Sequence, residues 1–440
     1  MSLSPYSEYR SSRIDWAGRL PAHWDVARLR WISQRYSGGT PDKNRPEFWQ
    51  DGTVPWLNSG AVNNGKIHEP SAYITQEALG SSSAKWIPAG ALLMALAGQG
   101  KTKGMVAQLM FESTCNQSMA AIVPDGRIAA RYLYWWLASN YQNIRNMAGG
   151  DLRDGLNLEL LGAIPCPLPS SAEQAAIAAF LDYETAKIDA LIAEQEKLLA
   201  LLAEKHQATI SHAVTRGLDP SAKMEDSGIP WLGVVPAHWD LVPCRFLVLE
   251  RNERNEDAAN QDYLSLMANV GVIPYAEKGD VGNKKPEDLS KCKLVKVGDL
   301  VINSMNYGIG SYGLSPLSGV CSPVYIVLEV KQSAALREFV YRIFQNRGFQ
   351  LFAQSHGNGI LAHRAAIGWD TLKGLQVALP TLDEQRGIVE FVNSIEDTER
   401  QMRTEGERAV ALLQERRSAL IVAAVTGQID VRGAMEMHAA

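Results

Sequence analysis

The sequence predicts an α/β protein of two loop-rich domains and two long helices, written as an internal repeat, on three observations. Pro21-Ala-His-Trp-Asp25 recurs at Pro236 to Asp240, 215 positions later, and Ile14, Trp16 and Gly18 face Ile229, Trp231 and Gly233 at the same offset. Pro167-Leu-Pro-Ser-Ser-Ala-Glu-Gln174 faces Ala378-Leu-Pro-Thr-Leu-Asp-Glu-Gln385, and His212-Ala-Val-Thr-Arg-Gly faces Ala423-Ala-Val-Thr-Gly-Gln, both at an offset of 211. Between these boxes lie short β-rich runs, such as Ala91 to Leu96, Leu300 to Ile302 and Val324 to Leu328, broken by Gly, Asn and Pro turns.

Taken in order, residues 1–25 supply the first opening box and 26–168 the first domain. A proline and hydroxyl residues just ahead of Glu173 are helix-start chemistry, so 169–216 is the first long helix. Residues 217–240 are a linker ending in the second box, 241–379 the second domain, 380–426 the second long helix and 427–440 a tail. Glu173 to Val214 and Glu384 to Val425 each span 41 positions, which at 1.5 Å per residue is about 60 Å of helix. The expected apolar seam is Ile177, Leu181, Ile188, Leu191, Leu198 and Leu202 in the first helix. In the second it is Ile388, Val392, Ile395, Met402, Ala409, Leu413 and Leu420; Gln195, Gly406, Lys205 and Arg416 interrupt the two stripes. A helix this long needs a partner along its length, and the nearest is its own duplicate. The domains share a skeleton, Pro88-Ala-Gly-Ala-Leu-Leu against Lys296-Val-Gly-Asp-Leu-Val, while their loop residues mostly disagree.

The composition is that of a globular protein, and no apolar run approaches the roughly 18 residues that span a bilayer. The start, MSLSPYSEYR, lacks the basic-then-apolar order of a secretory signal, so a cytoplasmic location is expected. Five scattered cysteines without a C-x-x-C are read as reduced, packed thiols rather than a disulfide framework or zinc site. Net charge is −5, yet Lys/Arg exceed Asp/Glu by 13 to 10 over 26–165 and by 15 to 13 over 241–377. A polyanion partner is thus permitted in two places without being demanded.

Catalytic signals are thin. Ala95-Leu-Ala-Gly-Gln-Gly-Lys101-Thr102 fits a relaxed phosphate-loop pattern, but the next residues, Lys103-Gly-Met-Val-Ala-Gln-Leu109, are poor helix material. The segment reads as a Gly-rich turn whose Lys101 and Lys103 point at another kind of phosphate, with a phosphate-loop ATPase kept as a distant alternative. His23 and His238, beside Trp in the repeated box, are read as packed or capping residues, and Trp24 and Trp239 as packing each domain onto the helices. No metal site is expected.

The order of boxes resembles the specificity subunit of type I restriction-modification systems across essentially the whole chain. The first half carries Trp16-Ala-Gly, Pro21-Ala-His-Trp24, Gly38-Gly-Thr-Pro41, Phe48-Trp49, Val54-Pro-Trp56, Pro88-Ala-Gly90, Gly98-Gln-Gly-Lys-Thr102, Cys115-Asn-Gln117, Tyr132-Leu-Tyr134 and Glu173-Gln174. The second half departs, with Glu250-Arg-Asn-Glu-Arg in place of Gly-Gly-Thr-Pro and Cys321-Ser-Pro in place of Cys-Asn-Gln. The resemblance implies an α/β fold of two target-recognition domains joined by two long antiparallel coiled-coil helices. It implies a non-catalytic reader of double-stranded DNA whose domains each take one half of an asymmetric, split site while the helices fix the spacing. Two methyltransferase subunits would dock on the helices and bring S-adenosylmethionine, and restriction/translocase subunits would join them; the chain itself would hold no cofactor and meet no membrane.

Candidate DNA contacts in the first domain are Gln99, Lys101, Thr102 and Lys103 in the Gly-rich turn, with Asn58, Asn116 and Gln117. In the second they are Lys284, Lys285, Asn303, Asn306, Tyr307 and Arg364. Gln and Asn suit adenine edges, while lysines on loops suit phosphates. The alternative is a scaffold that uses the helices to assemble partners and its domains for something other than DNA.

Overall fold

In a computed structural model of the chain, residues 4–98, 100–148, 155–281, 284–357 and 366–434 are described. By its internal contacts the chain divides into two units, Met1–Gln195 with Arg408–Ala440, and Glu196–Glu407. Two helices dominate the element order, Ser171–Arg216 of 46 residues and Leu382–Val425 of 44. Each contributes its first part to one unit and its last part to the other. None of the described helices is long and apolar enough to cross a membrane.

In the first unit, a five-stranded sheet runs in the order Ser33–Ser37, Met119–Pro124, Leu92–Ala95, Val106–Leu109, Lys66–Ile67. The helix Ala130–Ser139 lays Tyr132, Leu133, Trp135, Trp136 and Leu137 into a core shared with Trp24, Ile177, Leu181, Ile421 and Val425. Early residues of one long helix thus meet late residues of the other, and Arg417 Nε donates to Asp189 Oδ1 at 2.7 Å, so the two run antiparallel here.

In the second unit, a four-stranded sheet runs Val248–Glu250, Tyr325–Val330, Leu300–Asn303, Tyr312–Leu314. Its domain helix Arg337–Gln345 shares a core with Val214, Trp239, Ile388 and Val392. The antiparallel pairing recurs: His206 Nδ1 lies 3.0 Å from Glu399 Oε2. All five cysteines are free and buried.

The junction of domain and helix is built twice from the same parts. Strand Asp25–Arg28 enters the first domain and pairs antiparallel with Pro165–Leu168, which leaves it; Asp240–Pro243 and Gln376–Leu379 do the same in the second. At the foot of the first long helix, Glu173 Oε1 receives Trp24 Nε1 at 3.1 Å and His23 Nε2 at 2.8 Å. Its Oε2 receives the backbone N–H and hydroxyl of Ser170, while Glu173 N donates back to that hydroxyl, a capping box. Glu384 repeats every contact with Trp239, His238 and Thr381. The next residue pins the domain helix, for Gln174 Oε1 accepts from Ala129 N at 2.6 Å and Gln385 Oε1 from Leu336 N at 2.8 Å. The far helix ends close the junction. Gly427 and Gly217 hold φ of +66° and +71°, and a Cβ there would fall 3.0 Å from the Trp24 ring and 3.1 Å from the Trp239 ring.

Beyond the junction the copies diverge in chemistry but keep a contact. Trp135 Nε1 donates to Asp182 at 2.9 Å, whereas Arg342, at the matching place on its helix, donates to Asn393 at 2.6 Å and to Glu396.

The seam corrects the sequence reading by one residue. Leu191 and Leu198 are 57% and 48% exposed, and Ile192 and Leu199 are the half-buried residues in their place. The phase is carried by Thr185, which is buried with its hydroxyl on Leu181 O, and then by steps of three and four through Ile188, Ile192, Gln195, Leu199 and Leu202. The same slip puts His206 and Arg417 against the opposite helix, with Lys205 and Arg416 exposed. Met402 keeps the phase yet is 43% exposed.

Glu173→Ala removes a cap and leaves the buried Trp24 N–H without its acceptor, so it is expected to cost about 2–4 kcal/mol in chemical denaturation. Burial alone would raise the Glu173 pKa, but the hydrogen bonds from His23, Ser170 and Trp24 outweigh it and hold the carboxyl at about 2. A depressed carboxyl contributes fully above its unfolded value of about 4.3 and loses that contribution as pH falls toward 2. Glu173→Gln should therefore flatten the fall in stability across that window, measured by denaturation at successive pH values.

Candidate nucleic-acid interface

The first domain separates the expected contacts into two places. Strands Val54–Leu57 and Thr114–Cys115 pair in parallel, so Asn58 and Asn116 leave the sheet side by side, with Asn116 N on Leu57 O at 3.0 Å. Asn58 is exposed and caps the short helix Ser59–Asn64 through Gly60 N at 2.8 Å. Asn116 is half-buried and accepts from Ser118 N at 3.1 Å, which leaves the exposed Gln117 as the outward residue of that turn.

Gln117 is held from the far side. The Thr40 hydroxyl donates to its Oε1. Thr40 is placed by the Gly38-Gly39 loop: a Cβ on Gly38 would fall 1.8 Å from Cys115 O, and one on Gly39 2.3 Å from Ser83 Oγ. Only glycine permits that approach. Beside it, Lys43, Trp49, Trp56 and Asn58 line a cavity of about 270 Å³, with Trp49 edge-on to Trp56 at 5.1 Å. Sequence reasoning recognised Gly38 to Pro41 and Trp49 as motif residues but did not count Thr40, Lys43 or Trp49 among the candidate contacts; for Thr40 the glycine pair before it was the available signal.

The Gly-rich turn lies elsewhere, between the antiparallel strands Leu92–Ala95 and Val106–Leu109. A strand, not a helix, comes after it, so it lacks the helix N-terminus that cradles phosphate, and the nucleotide-loop alternative falls. Lys101 is exposed and Thr102 half-buried, and the Tyr141 hydroxyl donates to Lys101 O at 2.5 Å. Lys103 is only 4% exposed, which corrects the expectation that it points at DNA. The tight turn carries its side chain inward. Gln99 lies outside the described residues.

The second domain requires two further corrections. Tyr307 is fully buried, donates to Phe344 O at 2.6 Å and stands edge-on to Tyr312, so it is a core residue. Asn303 is 7% exposed and ties the turn below its strand by accepting from Met305 N at 3.1 Å. Asn306, Lys284 and Lys285 are exposed, and Arg364 lies outside the described residues. Where the first domain has its glycine loop, the second has a buried ion cluster. Arg251, 7% exposed, donates to Asp299 at 2.8 Å and 3.2 Å and reaches Glu253 and Glu329.

The type I restriction modification DNA specificity domain matches residues 21–200 and again 254–407, most of the chain. The chain belongs to that family. Each match runs from a domain into the long helix after it, ending at residues 200 and 407. Among related type I specificity subunits, that of EcoR124I/EcoR124II from Escherichia coli is 32% identical over 155 residues, 34% of this chain. The match spans 38% of that relative's own length. The StySPI specificity subunit from Salmonella potsdam is 24% identical over 392 residues, 86% of this chain and 83% of that one. A chain from a solved structure describing complex assembly and conformational transition of the type I R-M system has a TM-score of 0.70 at 16% identity. It covers 93% of this chain and 99% of that one, a likeness of fold. This specificity subunit thus presents two target-recognition domains on a shared frame, and their loops differ in kind.

Tyr307→Phe is expected to cost about 1 kcal/mol of stability through one lost buried hydrogen bond. DNA affinity at fixed salt should not change, as a filter-binding titration beside a denaturation curve would check.

Proposed function

We propose that this specificity subunit is the non-catalytic DNA reader of a type I complex, each domain taking one half of an asymmetric, interrupted site. The observation that supports this most directly is the contrast between frame and loops. Glu173 and Glu384 make the same contacts, while the first domain carries Thr40, Asn58 and Gln117 where the second carries an ion cluster and the exposed Asn306. A duplicated frame with unlike polar surfaces suits one ligand class met in two versions. In the first domain Gln117 and Asn58 would meet base edges and Lys43 and Lys101 phosphates. In the second, Lys284, Lys285 and Asn306 are the exposed counterparts. The long helices act as a spacer between the domains and as the seat of two modification subunits. Those subunits bring S-adenosylmethionine and the methyl transfer, and restriction/translocase subunits join for cleavage.

The decisive experiment maps methylated bases in DNA exposed to this chain with modification subunits. A split, asymmetric motif modified only when this chain is present supports the proposal; modification that ignores its presence, or ATP turnover by the chain alone, overturns it.

Gln117→Ala should relax preference at one position of one half-site by about 1–3 kcal/mol, seen in sequence-resolved binding. Lys101→Ala should weaken all sequences alike and lower the salt slope by about one. Inserting seven residues into both long helices adds about 10 Å, so the tolerated spacer should lengthen by about 3 base pairs with both half-sites unchanged.

A further inference from the structure

Each domain sets a cavity against a pair of aromatic rings, and the inner ring of each pair holds the same position in the fold. Trp56 pairs in parallel with Thr114, next to Cys115, and Tyr263 bridges in parallel to Val320, next to the matching Cys321. Trp56 and Tyr263 are 6% and 8% exposed, and a half-buried ring meets each edge-on, Trp49 at 5.1 Å and Tyr275 at 5.6 Å. The outer ring is tied to backbone at a lysine. Trp49 Nε1 donates to the carbonyl of Asp42, the neighbour of Lys43, at 3.1 Å, and the Tyr275 hydroxyl accepts from Lys285 N at 3.0 Å. Lys43, Trp49, Trp56 and Asn58 bound a space of about 270 Å³. Tyr263, Tyr275 and Lys285, with Gln261, Asp262 and Ser318, line one of about 460 Å³.

Small satellite cores account for the rings but not for the spaces beside them. Phe48, Val54, Ile74 and Ala78 cluster with Trp56, and Leu289, Cys292 and Val320 with Tyr263, and none of these residues lines either cavity. Common descent does not supply the arrangement, because the outer ring precedes the inner one in sequence in the first domain and follows it in the second. Unlike residues thus build one device, two rings at an angle with a lysine at the rim. In the first cavity both indole N–H groups are engaged by backbone, Trp49 on Asp42 O and Trp56 on Gly39 O, so the rings offer only their π systems. Asn58 Oδ1 is engaged by Gly60 N, which leaves the N–H₂ as the donor of that side chain. Volumes near the lower end of small-molecule sites suit a single ring system. Rings that stack, a donor for a ring edge and a lysine for a phosphate are together the complement of one nucleotide.

We propose that each domain receives in this cavity one base unstacked from its half-site, with Lys43 or Lys285 on the phosphate of that nucleotide. The inference rests on the DNA-reading function proposed above and adds to it a local opening of the duplex at one position in each half. The test uses the full-length chain without modification subunits, so that any opening belongs to this chain. It titrates the site mapped by methylation, with an abasic residue placed opposite each position in turn. A base without a partner costs less to unstack, so binding should tighten about 10- to 100-fold at one position in each half. Trp49→Ala should lose that tightening in the first half alone and Tyr275→Ala in the second alone, each weakening binding to the intact site about 5- to 150-fold. Trp49→Phe and Tyr275→Phe should keep it. 5-Iodouracil at the two positions should photocross-link to Trp49 and to Tyr275, as peptide mass spectrometry would show. A chain that binds the intact site with no tightening at any position overturns the inference and leaves the proposed function standing, as does tightening that both alanine variants retain. Saturable binding of a deoxynucleoside monophosphate, lost in the alanine variants, without tightening on any duplex also overturns it and assigns the cavities to a free nucleotide. A chain that binds no DNA overturns both.

Discussion

One carboxylate in each repeat holds the architecture together. Glu173 and Glu384 sit where a chain entering a domain, a chain leaving it and the start of a long helix all meet, and each accepts from three side chains and a backbone N–H. Glu173 is buried and Glu384 about a third exposed, and a carboxylate taken out of water is costly unless hydrogen bonds replace its hydration. That requirement fixes the neighbours. Trp must bring an N–H, His must reach the same oxygen, and a hydroxyl must precede the glutamate by three residues. The adjacent glutamine extends the arrangement by holding the start of the domain helix.

Against that invariant junction, the contact between domain helix and long helix shows how much variation the frame tolerates. Trp135 on Asp182 and Arg342 on Asn393 with Glu396 use different donors for the same place. The acceptor stays on the long helix and the donor on the domain. In the first copy the Asp182 carboxylate also receives Arg131; in the second its place is taken by neutral Asn393 and the carboxylate that pairs Arg342 is Glu396, so the charge remains paired.

Much of the frame was legible in the sequence because local chemistry dictates it. Capping boxes, terminal glycines and equal helix lengths can be read without knowing what they pack against. The seam phase was not legible. Leu191 with Ile192, and Leu198 with Leu199, offer two apolar stripes one residue apart, and the residue that decides between them, Thr185, is polar. Site residues failed for a related reason. Asn303, Tyr307 and Lys103 look like loop residues by type, yet turns carry them inward, where backbone groups and neighbouring rings receive them. Asn58 and Gln117 do stay exposed, each just past a short strand of one parallel pair. Beside them, Thr40 carried one sequence signal, the glycine pair before it, whereas the place of Lys43 beside Trp49, Trp56 and Asn58 is visible only in three dimensions.

The strand pair at each junction has an evolutionary consequence. Leu168 lies opposite Asp25, and Leu379 opposite Asp240, so each domain departs and returns through ends held about 5 Å apart. A stretch of chain whose ends meet is, topologically, a loop on its support. Its length and sequence can vary wherever it does not pack on the helices, because its two ends keep their places. Exchanging a domain then requires only two joints, at the strand that enters it and the strand that leaves it, and both lie on the repeated frame.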